Sequence, residues 1–136
     1  MTFEEMVALE AQKPKRKQHH NDEEHRLQCS LVNWFRLQYP KMQHNLFAVP
    51  NAGRRSLRLG KYMKDEGLLP GVADLILLRS NTHYGALLIE VKTQKGTQQK
   101  TQKEWQAKIE KDGYKYVIVR SIEDFMKEIK SYLEDT

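Results

Sequence analysis

Two apolar runs at residues 73–78 and 84–92, joined by the turn-rich RSNTH, constrain this chain more than any other feature. Both are nearly continuous in Leu, Ile, Val and Ala, the pattern of central strands covered on both faces. Yet the first run carries Asp74 at its start, and the second carries Glu90 and Lys92 at its end. Desolvating such charges without partners costs on the order of several kcal/mol each, so they must meet one another or a ligand. Side chains alternate along a strand, which puts Glu90 and Lys92 on one face. If the hairpin closes symmetrically about Thr82, Leu78 faces Ala86, Ile76 faces Leu88 and Asp74 faces Glu90. Directly opposed side chains have Cβ atoms about 4.5–5.5 Å apart. Two carboxylates that close repel unless a proton or a cation lies between them. The sequence therefore predicts a site for a hard divalent cation, Mg²⁺ or Mn²⁺, with oxygen ligands Asp74 and Glu90. Lys92, one pleat away, is placed to orient a water in line with a phosphodiester or to help take its proton. The tripeptide Glu-x-Lys is common by chance; the carboxylate sixteen residues earlier, at the mouth of the same hairpin, makes the reading functional.

The rest of the chain supplies elements to surround that hairpin. Residues 1–12 form a short helix with Phe3, Met6, Val7 and Leu9 on one side, followed by a basic linker or arm, KPKRKQHHND. From Asp22 a helix begins, capped by that residue, with Glu23 and Glu24 at the positive end of its dipole. Leu27, Leu31, Trp34, Phe35 and Leu37 recur along it at helical spacing, and Pro40 ends it. NLFAVP reads as a strand, NAGRR as a turn and residues 56–66 as a basic helix stopped by Gly67 and Pro70. After the hairpin come a helix with Trp105 and Ile109 inward, a strand in YKYVIVR, and a last helix opening on Ser121 with Asp124 near a capping box. The predicted order from residue 22 is α-β-α-β-β-α-β-α, an α/β fold with a mixed central sheet flanked by helices. Residues 1–21 are assigned to the helix and basic arm, and residues 22–136 to one domain.

Bulk properties narrow the partners. A net charge of +5 and a pI near 9.3 favour an acidic partner. No apolar run approaches the roughly 20 residues of a membrane span. A single cysteine, Cys29, excludes an internal disulfide, and the N-terminus lacks a secretory apolar centre, so a cytoplasmic setting is expected. Cys29 is expected in the core, and with no second cysteine it completes no tetrahedral zinc set with His25. Arg54, Arg55, Arg58, Lys61 and Lys64 cluster just before the hairpin, and Arg54, Arg58 and Lys61 share a helical face. Cations and backbone N–H groups of that kind bind a phosphate chain without reading its sequence. No motif reads bases.

At these residues a resemblance becomes visible. GVAD followed by IEVK resembles the PD-(D/E)xK nuclease superfamily, and the wider pattern resembles its VRR-NUC branch. The pattern comprises EEHRLQ, VPNAGRR, GLLPGVADLILL, LLIEVKTQKGT, TQKEW and GYKYVIVRS, over roughly residues 22–134. The resemblance implies a restriction-endonuclease-like fold, with Asp74, Glu90 and the carbonyl of Val91 as metal ligands and Lys92 as the catalytic lysine. It adds Glu24, four residues before Gln28, and Gln102, at the start of the helix after the Glu-x-Lys strand. Asn51, Arg54, Arg55, Arg58, Lys61 and Lys95 fall where DNA contacts are implied. Ala73 replaces the proline that gives the superfamily its name; that position shapes backbone and ligates nothing.

The function expected is a Mg²⁺- or Mn²⁺-dependent DNA endonuclease. The resemblance to free-standing, often phage-encoded members implies a homodimer acting on branched DNA, in a bacterial or phage-infected cytoplasm. The rival is a DNA-binding module that keeps the fold without catalysis; the presence of Glu24, Asp74, Glu90 and Lys92 together separates the two. One chain of this size carries one metal site, so symmetric cutting of a four-way junction needs a second copy. The apolar side of the N-terminal segment is a candidate interface.

Overall fold

The computed structural model describes residues 2–11, 20–50 and 57–135. Helices α1 (Phe3–Ala11) and α2 (His20–Gln38) precede a 3₁₀ turn at Pro40–Met42 and strand β1 (Leu46–Ala48). Helix α3 (Leu57–Asp65), strands β2 (Leu75–Leu77) and β3 (Leu87–Val91), helix α4 (Lys100–Lys111), strand β4 (Lys115–Val119) and helix α5 (Ile122–Glu134) follow. This is the expected order. Residues 13–19 of the basic arm and the NAGRR segment, with Asn51, Arg54 and Arg55, lie outside the described residues; the last three arm residues are already helical, since α2 begins at His20, so Asp22 lies in its first turn instead of capping it.

The sheet has the order β1-β2-β3-β4, antiparallel up to β3 and parallel between β3 and β4. A parallel neighbour requires a crossover, and α4 supplies it. Leu75 pairs with Ile89, Ile76 with Leu88 and Leu77 with Leu87, the register of closure about Thr82. The strands are shorter than their apolar runs. At the turn end, Leu78 is 59 % exposed and the chain leaves the ladder into a loop tied to the end of α5. There Thr82 Oγ1 donates to Asp135 O at 2.6 Å and the Tyr132 hydroxyl donates to Arg79 O.

Alternation sorts the side chains into two layers. Leu75, Leu77, Leu87, Ile89 and Val91 pack on Leu31 and Phe35 of α2 and on Phe125, Ile129 and Tyr132 of α5. Ile76, Leu88 and Tyr116 turn to the other face, against Trp105 and Ile109 of α4. Burying the first set removes most of its apolar surface from water, at about 1.5–3 kcal/mol for each large side chain. Helix α2 presents Leu31 and Phe35 at i, i+4, whereas Leu37 points away and is 84 % exposed. Helix α5 opens as predicted: Ser121 Oγ accepts from Asp124 N at 3.1 Å, and Asp124 Oδ2 accepts from Arg120 N at 3.1 Å.

A smaller cluster lies apart. Met6 of α1 is buried against Leu59 and Met63 of α3, and the Phe3 ring stacks on Tyr62 at 6.4 Å. Two of the four apolar residues proposed for a dimer interface are thus used within the chain, while Val7 and Leu9 remain exposed. Among the described residues no helix is long and apolar enough to cross a membrane.

Candidate active site

The hairpin does not bring Asp74 flat against Glu90. Leu75 is the residue paired with Ile89, yet the Asp74 N–H also donates to Ile89 O at 3.0 Å. Two residues against one is a β-bulge, a device that bends a strand and re-aims a side chain. The simple alternation expected from the sequence is corrected here: Asp74 leaves the face shared by Ile76 and Leu88, and Oδ2 accepts from the Val91 N–H at 2.7 Å. Gly71 allows the approach. At φ +88° it lies so close to α4 that a Cβ there would meet the backbone of Thr101 at 2.8 Å.

Glu90 keeps the α4 face and is fully buried. Its Oε1 accepts from the Tyr116 hydroxyl, and Oε2 has no hydrogen-bond partner among the described residues. Burial pushes this carboxyl above its ordinary value of 4.5; the Tyr116 hydrogen bond and the Lys92 charge pull it down, while Asp74 and Glu24 push it up. Those four groups therefore lie within electrostatic reach of Glu90. Lys92 is itself buried, at 9 % exposure, on the same face. Burial and then the Glu90 carboxylate raise the Tyr116 hydroxyl far above its ordinary 10.0, so it stays a proton donor.

On the other side of the bulge, Asp74 and Val91 face helix α2 across a cleft of about 510 Å³. Glu24 and Gln28, one turn apart, line it with His25 and Cys29. Cys29 is not in the core: it is exposed, its Sγ 3.6 Å from His25 Nε2. The helical stripe that buries Leu31 and Phe35 leaves positions 24, 25, 28 and 29 on the cleft side. Gln102 Oε1 accepts from Gln99 N at 2.7 Å, so its carbonyl end caps α4. Arg58, Lys61 and Lys95 are exposed.

The divalent cation that the sequence resemblance implies would meet oxygen donors here. Asp74, Glu90 and the Val91 carbonyl are all oxygen donors, and the buried Oε2 of Glu90 lacks the partner that a purely structural carboxylate would have. That set suits a hard cation, which needs only one or two carboxylates when substrate phosphate and water complete the shell. Among the described residues, no group of three His, Cys, Asp or Glu side chains converges to hold an ion by itself. The donor chemistry fits such an ion; of the residues predicted for the site, Asp74, Val91, Glu24 and Gln28 line the α2 cleft, whereas Glu90 and Lys92 lie buried beside it on the α4 side.

Sequence reasoning missed two supports of the site. In the sequence Tyr116 is only one residue of the YKYVIVR strand, although a tyrosine among buried apolar residues must direct its hydroxyl to some acceptor. Its partner depends on the parallel register, in which Leu88 pairs with Tyr116 and Glu90 with Ile118. Arg120 was also missed. Its Nη1 donates to Thr93 O at 2.7 Å and Gly96 O at 2.6 Å, clasping the loop that follows Lys92.

Comparisons with known proteins identify the family. The family model described as VRR-NUC domain matches residues 9–123. A solved structure titled VRR_NUC domain protein aligns with a TM-score of 0.71 at 25 % identity, covering 83 % of this chain and 89 % of that one. A comparison with curated proteins found no match. With most of its length matched and its fold shared with a solved member, the chain belongs to the VRR-NUC domain family, which implies a nuclease-type, DNA-processing function.

Proposed function

We propose that this protein is a divalent-metal-dependent DNA endonuclease whose centre comprises Asp74, Glu90, Val91 and Lys92, with Glu24, Gln28 and Gln102 around it. The observation that carries the reading is the fully buried Glu90 carboxylate, one oxygen unpartnered, within electrostatic reach of Lys92, Asp74 and Glu24. A carboxylate so placed is costly to fold around, and a cation offsets that cost. Asp74, Glu90 and the Val91 carbonyl would hold Mg²⁺ or Mn²⁺. When bound, such an ion lowers the pKa of water and stabilises charge developing on a phosphate. Lys92 orients the attacking water in line with the phosphodiester. Its burial holds the ammonium to a narrow range of positions, as orientation of a nucleophile requires.

The cleft beside α2 admits the scissile strand, with Glu24 and Gln28 along its wall. Exposed Arg58, Lys61 and Lys95 contact phosphates, and Asn51, Arg54, Arg55 and the basic arm join them on the strength of their charge and hydrogen-bonding groups. Contacts of this type fix the duplex without reading its sequence, which suits recognition of branch shape. Symmetric cutting of a junction needs two centres, so a homodimer is the working assembly.

The test is a cleavage panel of linear, flapped and four-way DNA with Mg²⁺ or Mn²⁺, run with wild type, Glu90→Gln and Lys92→Ala. Cleavage that needs the metal and is lost in Glu90→Gln is the expected result. Lys92→Ala should cut far more slowly while binding metal as wild type does. Binding without cleavage on every substrate would instead favour a non-catalytic DNA-binding module.

A further inference from the structure

We propose that Tyr116 is a positioning residue that sets which oxygen of Glu90 is offered to the cation, and that Gln98 and Gln106 set the direction of the Tyr116 hydroxyl. The inference rests on the reading of Glu90 as a metal ligand.

Tyr116 has little freedom. It is 5 % exposed on β4, held in parallel register with β3, with Trp105 edge-on to its ring at 6.0 Å. Gln98 Nε2 donates to Gln106 Oε1 at 2.8 Å, and the same nitrogen lies 3.5 Å from the Tyr116 oxygen. An amide nitrogen only donates. The phenol oxygen therefore faces a donor on one side, and its single hydrogen goes to Glu90 Oε1. That engages one oxygen and fixes the plane of the carboxylate, so Oε2, buried and without a partner, is the oxygen left for an incoming ligand. A tyrosine satisfying only its own hydroxyl could have used any nearby carbonyl. Here it meets the one fully buried carboxylate among the described residues, and the two glutamines behind it belong to the loop and helix that follow the Lys92 strand. Groups behind a metal ligand orient it, and losing one typically weakens metal affinity by about 10- to 100-fold.

The experiment is calorimetric titration of Mn²⁺ into wild type, Tyr116→Phe, Gln98→Ala, Tyr132→Phe and Glu90→Gln, paired with cleavage rates across a Mn²⁺ series. Tyr116→Phe should bind Mn²⁺ about 10- to 100-fold more weakly, with most of the cleavage rate recovered at saturating metal. Gln98→Ala should shift the curve the same way by a smaller factor. Tyr132→Phe, which loses a hydroxyl that donates to the Arg79 carbonyl away from Glu90, should titrate as wild type does. A Tyr116→Phe curve that superimposes on wild type overturns the inference and leaves the metal site standing. So does equal weakening in Tyr132→Phe, which would mark general loosening. If Gln98→Ala alone is unchanged, the glutamine part is overturned. Wild type that binds no Mn²⁺, or binds it no better than Glu90→Gln, overturns the metal-site reading itself.

Discussion

Asp74 Oδ2 accepts a 2.7 Å hydrogen bond from the Val91 N–H, the strand donor one pleat beyond the last pair between β2 and β3. The carboxylate therefore completes the ladder where the bulge interrupts it. It has a structural use as well as the ligand role proposed for it, and the two separate by substitution. Asp74→Asn keeps an oxygen for Val91 but loses the charge; Asp74→Ala loses both. A buried donor left unsatisfied costs about 1–3 kcal/mol. Both variants should be inactive, with Asp74→Ala less stable than Asp74→Asn by that amount in urea denaturation. Equal stabilities would mean that the Val91 bond contributes nothing.

Glu90 should trade stability for function. Burial raises its carboxyl above 4.5 in the folded protein, so the folded state binds its proton more tightly than the unfolded state. The stability linked to that proton is present below pH 4.5 and is lost as pH rises through the folded value. In chelator, Glu90→Gln should therefore be more stable than wild type at neutral pH, and its advantage should shrink as pH falls towards 4.5. The glutamine can still accept from Tyr116. Melting curves across pH that show no advantage at neutral pH would contradict a strained, buried carboxylate.

The loop after Lys92 depends on one guanidinium. Arg120 reaches the carbonyls of Thr93 and Gly96 from a single nitrogen. Hydrogen bonds to a charged group contribute about 1.5–3 kcal/mol, so Arg120→Ala should lose about that much stability. Amides of residues 94–98 should then exchange faster in hydrogen–deuterium measurements than those of the distant α1–α3 cluster. Uniform acceleration across the chain would point to global destabilisation instead.

Oligomeric state is decided by light scattering at micromolar protein. A dimer is expected, and Leu9→Glu, at a side chain 48 % exposed on α1, should shift it towards monomer. Met6→Ala should act differently: Met6 is buried against Leu59 and Met63, so its loss weakens the α1–α3 packing within one chain. A monomer that makes paired nicks on a four-way junction would sink the dimer argument. A dimer unaffected by Leu9→Glu would move the interface elsewhere.

The element order and the alternation of the hairpin strands were legible in the sequence, because each is written in local periodicity, and closure about Thr82 gave the right register for its middle pairs, though not for Leu78 or Asp74. Continuous Leu, Ile and Val in two runs required a covered sheet, and the RSNTH turn limited how the runs could pair. Ser121 and Asp124 announced the start of α5 through a bond that spans three residues. The residues proposed for the metal were also visible, since a charge at the end of an apolar strand is costly unless something meets it. What the sequence could not determine was how those charges are held. The bulge at Asp74 sits three residues after Gly71, which packs against Thr101, thirty residues further along the chain. The Tyr116 bond to Glu90 depends on the parallel register of β3 and β4, which no local pattern encodes. The clasp of Arg120 on Thr93 and Gly96 joins strand ends that meet only after α4 has crossed the sheet. Periodicity fixes which side of an element is buried; pairing between distant segments fixes which two polar atoms share a hydrogen, and only tertiary structure decides that.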